Sequence, residues 1–233
     1  MIFLSRMRLG STHQARRWLT DLYALHQLVM SGFPDERAPD ARHRLGVLFR
    51  LEEERRQVLV QSAVEPRWLV SPLDVEIDGP KPLEPLLDRV KEGDVWRFRL
   101  RANPTRRVAR AATVAPDPAR GRSRPERPES VGKRVAVRSD GERLEWLARV
   151  GRAKGFALID SGSGAPGIAN VRVRSLARLS IRAPGRAAPI SIEVAEFEGL
   201  LRVSHRDLFV TAIRDGIGPG KAFGCGLLSI APL

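Results

Sequence analysis

The apolar positions of this chain change period several times, and each change marks an element. Residues 2–8 alternate and predict a short strand, and Ser11 or Thr12 is placed to cap a helix after it. In that helix Trp18, Leu22, Leu25 and Val29 recur at helical spacing, and Gly32 and Pro34 end it. Residues 44–52 and 57–63 predict a hairpin about the charged turn Glu53-Glu54-Arg55, with Val58, Val60 and Ser62 alternating against Leu59, Gln61 and Ala63. A short helix over 82–90 and a strand over 94–101, carried by Val95, Phe98 and Leu100, complete a βαββαβ order. That order fits a ferredoxin-like lobe.

The second half repeats the pattern. Residues 134–138 predict a strand, 140–154 a helix ending at Gly155, and 156–160, 171–181 and 190–203 further strands. Ser204-His205-Arg206-Asp207 resembles a capping box and opens a helix with Leu208, Ala212 and Ile213 on one side. A glycine-rich stretch follows, and residues 227–230 close the pattern as a strand. The expectation is an α+β protein of tandem ferredoxin-like lobes. The expected bounds are 1–104 for the first lobe, 105–132 for a basic Pro/Arg-rich connecting loop, and 133–233 for the second lobe.

Composition adds a partner. The 233 residues carry 40 Lys and Arg against 27 Asp and Glu, a net charge of +13, which calls for a polyanion. Thirteen basic and three acidic residues fall between 97 and 138, so ten of the thirteen net charges sit in one stretch. Within it, 115–130 holds Pro116, Pro118, Pro125 and Pro128 with almost no apolar side chain, either a solvated linker or an RNA-gripping arm. Arg6 and Arg8 come too early for a signal peptide, and no apolar run approaches about 18 residues, so a cytoplasmic protein with no membrane partner is expected. Cys225 is the single cysteine and His13, His26, His43 and His205 are dispersed, so neither a disulfide nor a bound metal is expected, and no cofactor.

Residues 216–226 hold five glycines, which free the backbone to approach a ligand closely. The segment is not a P-loop, because Ala222 stands where Ser or Thr would hold magnesium. Nor is it a dinucleotide fingerprint, because it follows a helix and precedes a strand. It reads either as a tight connection or as a cradle for an RNA backbone formed by Gly216, Gly218, Gly220, Lys221, Phe223 and Gly224. Arg143, Arg149, Arg152 and Lys154, around Leu144, Leu147 and Val150 on the helix predicted over 140–154, read either as a solvated face or as a grip on an RNA stem.

The run Gly224-Cys225-Gly226-Leu227-Leu228-Ser229-Ile230-Ala231-Pro232 resembles the C-terminal signature of the CRISPR repeat endoribonucleases. Phe98-Arg99-Leu100-Arg101-Ala102-Asn103-Pro104-Thr105, Gly132-Lys133-Arg134-Val135 and Tyr23-Ala24-Leu25-His26 are similar to motifs of the type I-E, or CasE, family, in the same order. The stretch between Pro104 and Gly132 is longer than the family pattern. The resemblance implies metal-free cleavage of a CRISPR repeat RNA hairpin and retention of the mature guide RNA among the type I-E surveillance complex subunits. It also implies a catalytic histidine assisted by a tyrosine, which map to His26 and Tyr23. On that resemblance, catalysis is expected of the first lobe and RNA binding of the second.

Those two residues suit the chemistry on their own terms. Positions i and i+3 lie roughly 60° apart around a helix, so Tyr23 and His26 share a face. An imidazole with a pKa of about 6.5 can take a proton from a ribose 2′-hydroxyl or give one to a departing 5′-oxygen. The 2′-oxygen then attacks its own phosphate and leaves a cyclic phosphate. Arg8, Arg17 and Arg37 are each candidates to offset the developing charge, and nothing in the sequence chooses among them. The competing reading is a noncatalytic RNA-binding scaffold in which His26 and Tyr23 only pack.

Overall fold

A computed structural model describes residues 1–34, 41–68, 74–107, 134–159, 170–176, 178–182, 185 and 188–233. The first lobe holds β1 (Phe3–Leu9), α1 (His13–Thr20), α2 (Leu22–Met30), α3 (Ala41–Arg44), β2 (Leu48–Glu52), β3 (Gln57–Ser62) and β4 (Val75–Pro82). Its antiparallel sheet runs β2-β3-β1-β4. Met7 and Leu9 of β1 point into a core with Leu25, Val29, Phe49, Val58 and Val60. The alternate residues Arg6 and Arg8 turn outward to Asp78 and Glu76 across the β1–β4 ladder.

The single helix expected after β1 is two helices. Asp21 closes α1 through its backbone N–H to the Arg17 carbonyl, then caps α2 by accepting from the N–H groups of Tyr23 and Ala24, both at 3.0 Å. A short carboxylate that satisfies the next helix's free donors competes with continuation of the first helix. Thr12 caps α1. Trp18, Leu22, Leu25 and Val29 remain buried in one core despite the break.

After α4 (Glu84–Leu87), the second lobe holds β5 (Val95–Ala102), β6 (Thr105–Arg107), β7 (Arg134–Ala136), α5 (Asp140–Ala153), β8 (Phe156–Leu158) and β9 (Val171–Ser175). It continues through β10 (Leu179–Ile181), β11 (Ile190–Ile192), β12 (Ala195–Val203), α6 (Arg206–Asp215) and β13 (Leu228–Ala231). Its main sheet runs β13-β5-β12-β8, with β9 also on β12. Trp96, Phe98 and Leu100 alternate from β5 into a second core with Leu147 of α5 and Phe209 and Ile213 of α6. Among the described residues, no helix is long and apolar enough to cross a membrane.

Both sheets thus have the fourth-first-third-second strand order of a ferredoxin-like lobe, but the lobes divide at a different point. The strand expected to close the first lobe, β5, is the first strand of the second, paired with β12 and β13. The first lobe is closed by β4, which the apolar pattern hides because Val75 is its single buried residue. Residues 134–138 do not open the second sheet either, since β7 pairs with β6. The Pro/Arg-rich stretch 115–130, which lies outside the described residues, therefore sits in the connection between these two strands, not between the lobes.

Two further expectations change. The strand over 171–181 splits, β9 staying on β12 while β10 and β11 form a hairpin whose Ile181 and Ile192 enter the first lobe's core. The capping box does not form. His205 is the N-cap of α6 without a side-chain bond, and the Arg206 N–H donates to Glu92 at 3.2 Å. On that helix Phe209, Val210, Ala212 and Ile213 are buried and Leu208 is exposed.

The lobes are joined by buried arginines. Arg50 of β2, 2% exposed, donates to the Arg99 and Leu227 carbonyls and to Ser229 Oγ of the second lobe, and pairs with Glu52 at 2.9 Å. Arg101 of β5 reaches back to the Leu51 carbonyl, and Gln61 of β3 donates to the Ile213 carbonyl of α6.

Candidate active site

The cap at Asp21 sets where α2 begins, and so brings Tyr23 into its first turn and His26 into its second. Opposite α2 stands the 3-10 turn Lys221–Phe223 of the glycine-rich segment, packed against both α2 and β2. Tyr23 and Phe223 are half-buried against the first lobe's core. The His26 ring is half-buried too, with its centroid 6.3 Å from that of Phe49. The two candidate regions therefore meet across the lobe boundary, although about 190 residues separate them in the chain.

The six expected cradle residues divide by environment. Gly216 and Gly224 are buried, and both have positive φ, 73° and 78°. A Cβ on Gly216 would lie 2.8 Å from Leu48 Cδ1, and one on Gly224 would lie 3.4 Å from the Phe49 ring. These two glycines let the segment close onto β2. Gly218, Gly220, Lys221 and Phe223 lie on the half-exposed side. Cys225 is fully buried, and burial pushes its thiol up to about 12, far from any nucleophilic state.

Electrostatically the site is a meeting of cations. Lys221 Nζ donates to the Asp215 carbonyl at the end of α6. Burial holds the Lys221 ammonium below its ordinary range, and Arg42 and Lys154 lower it further against the opposing pull of Asp215. Arg42 of α3 donates Nη1 to the Val47 carbonyl at 2.8 Å, and burial lowers its guanidinium as well. His26 is held below the ordinary imidazole value by burial and then by Arg42. Its Nδ1 is buried and has no hydrogen-bond partner among the described residues. The lowered pKa favours the neutral imidazole, the form able to accept a proton.

Arg42 stood outside the sequence reading. Of the three cations considered there, Arg8 pairs with Glu76 and Arg17 with Asp21, and Arg37 lies outside the described residues. The signal available is the basic cluster in Ala41-Arg42-His43-Arg44, of which the folded structure makes Arg42 the cation that lowers the pKa of His26.

On α5 the four expected basic residues also part company. Arg143 is 4% exposed and donates to the Val137 carbonyl, Asp140 Oδ1 and Ser175 Oγ, so it ties α5 to β9 and leaves the surface. The helical pattern misleads here because a long cationic side chain reads as solvated whichever way it turns. Arg149 and Arg152 do stand together, with Arg106, Glu142, Glu145 and Trp146, around a groove of about 500 Å³. A second groove of about 830 Å³, lined by Arg106, Arg134, Arg138 and Arg178, adjoins it and reaches Pro219 of the glycine-rich segment. Lys154 lies apart from both, towards Lys221.

Comparison with known proteins supplies an independent observation. The family model described as CRISPR associated protein matches residues 2–232. The CRISPR-associated endoribonuclease Cse3 of Thermus thermophilus is 33% identical over 231 residues, covering 95% of each chain. The CRISPR system Cascade subunit CasE of Escherichia coli K12 is 30% identical, covering 97% of this chain and all of that one. A solved structure of Thermus thermophilus Cse3 bound to an RNA representing a pre-cleavage complex superposes with a TM-score of 0.74 at 30% identity, covering 99% of both chains.

Proposed function

Because the chain belongs to the CRISPR-associated Cse3/CasE endoribonuclease family, we propose that it cuts CRISPR repeat hairpins by attack of a ribose 2′-hydroxyl on the adjacent phosphate. The reaction uses no metal, and the mature guide RNA stays bound as part of a type I-E surveillance complex, in keeping with the relative named as a Cascade subunit. The observation that carries this reading is the half-buried His26 on α2, the helix on which the Lys221–Phe223 turn of the other lobe packs.

His26, neutral because burial and Arg42 disfavour the imidazolium, takes the 2′-hydroxyl proton. The O2′–P bond forms as the P–O5′ bond breaks, and the departing oxygen takes a proton from water, leaving a 2′,3′-cyclic phosphate and a 5′-hydroxyl. Tyr23, one turn earlier on the same face, orients the nucleophile or donates to a phosphate oxygen. The stem lies in the two arginine-lined grooves, where Arg149 and Arg152 grip its phosphates.

The packing of Tyr23 and Phe223 against the core also suits a scaffold that binds RNA without cutting it. Incubating the protein with a repeat hairpin in EDTA separates the two. We expect cleavage there, and none when the scissile ribose lacks its 2′-hydroxyl, although that RNA still binds. Binding without cleavage of the all-ribose hairpin would favour the scaffold, and cutting of the deoxy substrate would rule out the proposed nucleophile.

Lys221→Ala should weaken RNA binding and reduce the slope of log affinity against log salt by roughly 0.7 to 0.9, as one phosphate contact is lost. Gly220, with φ at 84°, resists a Cβ whatever the space around it, so Gly220→Val should displace Lys221 and weaken binding too. Unchanged affinity in both variants, with the fold intact by circular dichroism, would make the segment a structural turn.

A further inference from the structure

We propose that Arg42 and Lys221 together seat the scissile phosphate beside His26, with Arg42 holding the charge that builds on the phosphorane. The inference rests on the ribonuclease reading above and assigns the cation it lacks. Its basis is convergence. Arg42 comes from α3 of the first lobe and Lys221 from the turn of the second. Arg42 Nη1 is fixed on the Val47 carbonyl, two residues before Phe49, whose ring lies 6.3 Å from that of His26, and the Lys221–Phe223 turn packs on both α2 and β2. The charge of Arg42 lowers the pKa of both Lys221 and His26, in keeping with that placement.

Among the described residues, neither cation forms an ion pair with a carboxylate. Each holds a backbone carbonyl, Arg42 that of Val47 and Lys221 that of Asp215. Two half-buried cations that repel one another, with no carboxylate paired to either among the described residues, stand at higher energy alone than with an anion between them. A phosphodiester carries one negative charge, and its pentacoordinate state carries two. Arg42 and Lys221 therefore match the second state better than the first, which is the direction catalysis requires.

The arrangement also couples binding to basicity. Among the described residues, the groups about His26 are Arg42 from α3, Phe49 from β2 and, packed on its helix, the turn that carries Lys221, with Lys154 and Asp215 acting on that lysine. An anion between Arg42 and Lys221 offsets the field that disfavours the imidazolium. The proton affinity of His26 then rises at the moment its substrate arrives. In the step itself the 2′-hydroxyl proton passes to His26, O2′–P forms, P–O5′ breaks, and the departing 5′-oxygen takes a proton from water while the imidazolium returns its own to solvent, with no redox change.

The test uses the full chain and two readouts. The first is the NMR titration of the His26 ring, assigned by its loss in His26→Ala, with and without sulfate as the anion probe. In the parent, sulfate should raise the pH at which His26 titrates. In Arg42→Gln the ring should titrate at higher pH without sulfate, and sulfate should shift it little. The second readout is single-turnover cleavage of the hairpin, which Arg42→Gln should slow by about 100-fold to 1,000-fold while RNA affinity changes only a few-fold. Arg42→Lys, which keeps the cation, should recover part of the rate.

A His26 titration that is the same in Arg42→Gln as in the parent, or a sulfate response that survives the substitution, would overturn the seat. So would an unchanged cleavage rate. A parent protein that binds but never cuts the hairpin would instead defeat the ribonuclease reading, and the sulfate titration would still decide whether the seat exists.

Discussion

Replacing His26 by alanine is expected to slow hairpin cleavage by about 10² to 10⁴-fold and to leave RNA affinity close to that of the parent. The rate falls because the site then has no group able to accept the 2′-hydroxyl proton. Affinity holds because a neutral imidazole releases no counterion, while the arginines of the two grooves, Arg106, Arg134, Arg138, Arg149 and Arg152 among them, all remain. Single-turnover cleavage and filter binding on the same RNA measure the two quantities, and a loss of affinity as large as the loss of rate would contradict the assignment. The pH profile carries a sign as well. His26 in the free protein is held below the ordinary imidazole value of about 6.5. As a base it is active when unprotonated, so the acid limb of kcat/KM, which reports the free enzyme, should break below that value.

The largest expected effect on stability comes from Arg50→Met. The methionine fills much of the same space but strands what the guanidinium satisfied: the Arg99 and Leu227 carbonyls, Ser229 Oγ, and Glu52, which is 9% exposed. Removing one partner of a buried, hydrogen-bonded pair costs about 3–5 kcal/mol. Glu52 keeps Arg99 at 3.3 Å, so the lower end of that range applies. Urea unfolding should show the midpoint falling with little change in slope, and a loss under about 1 kcal/mol would mean that the lobes are held together by other contacts. Glu52→Gln alone should be milder, because the Arg50 bonds to the second lobe survive it.

Alternation and helical spacing identified most elements that carry their own amphipathic signature, including β1, the β2–β3 hairpin, β5, α5 and α6. They failed at β4, whose sequence Val75-Glu76-Ile77-Asp78-Gly79-Pro80 has little to bury at the edge of a sheet. They also could not say which sheet a strand joins. β5 has the same alternation whether it closes one lobe or opens the next, and only pairing with β12 and β13 decides. Of the candidate site, His26, Tyr23 and Lys221 were legible from residue type and motif. Arg42 was not, because it reaches His26 through a turn of chain that periodicity does not describe. Arg143 was misread for the opposite reason, its charge hiding a buried role at Val137 and Ser175.

The division of the site between α2 and the turn at Lys221–Phe223 has a consequence for biosynthesis. A ribosome completes α2 early, but the facing turn is made about 190 residues later, and β13, which anchors it to β5, later still. A nascent chain thus carries His26 across the whole intervening stretch before the turn of Lys221 exists. Any chain released within that stretch lacks it. The two halves of the candidate site meet only when the second lobe folds back onto the first.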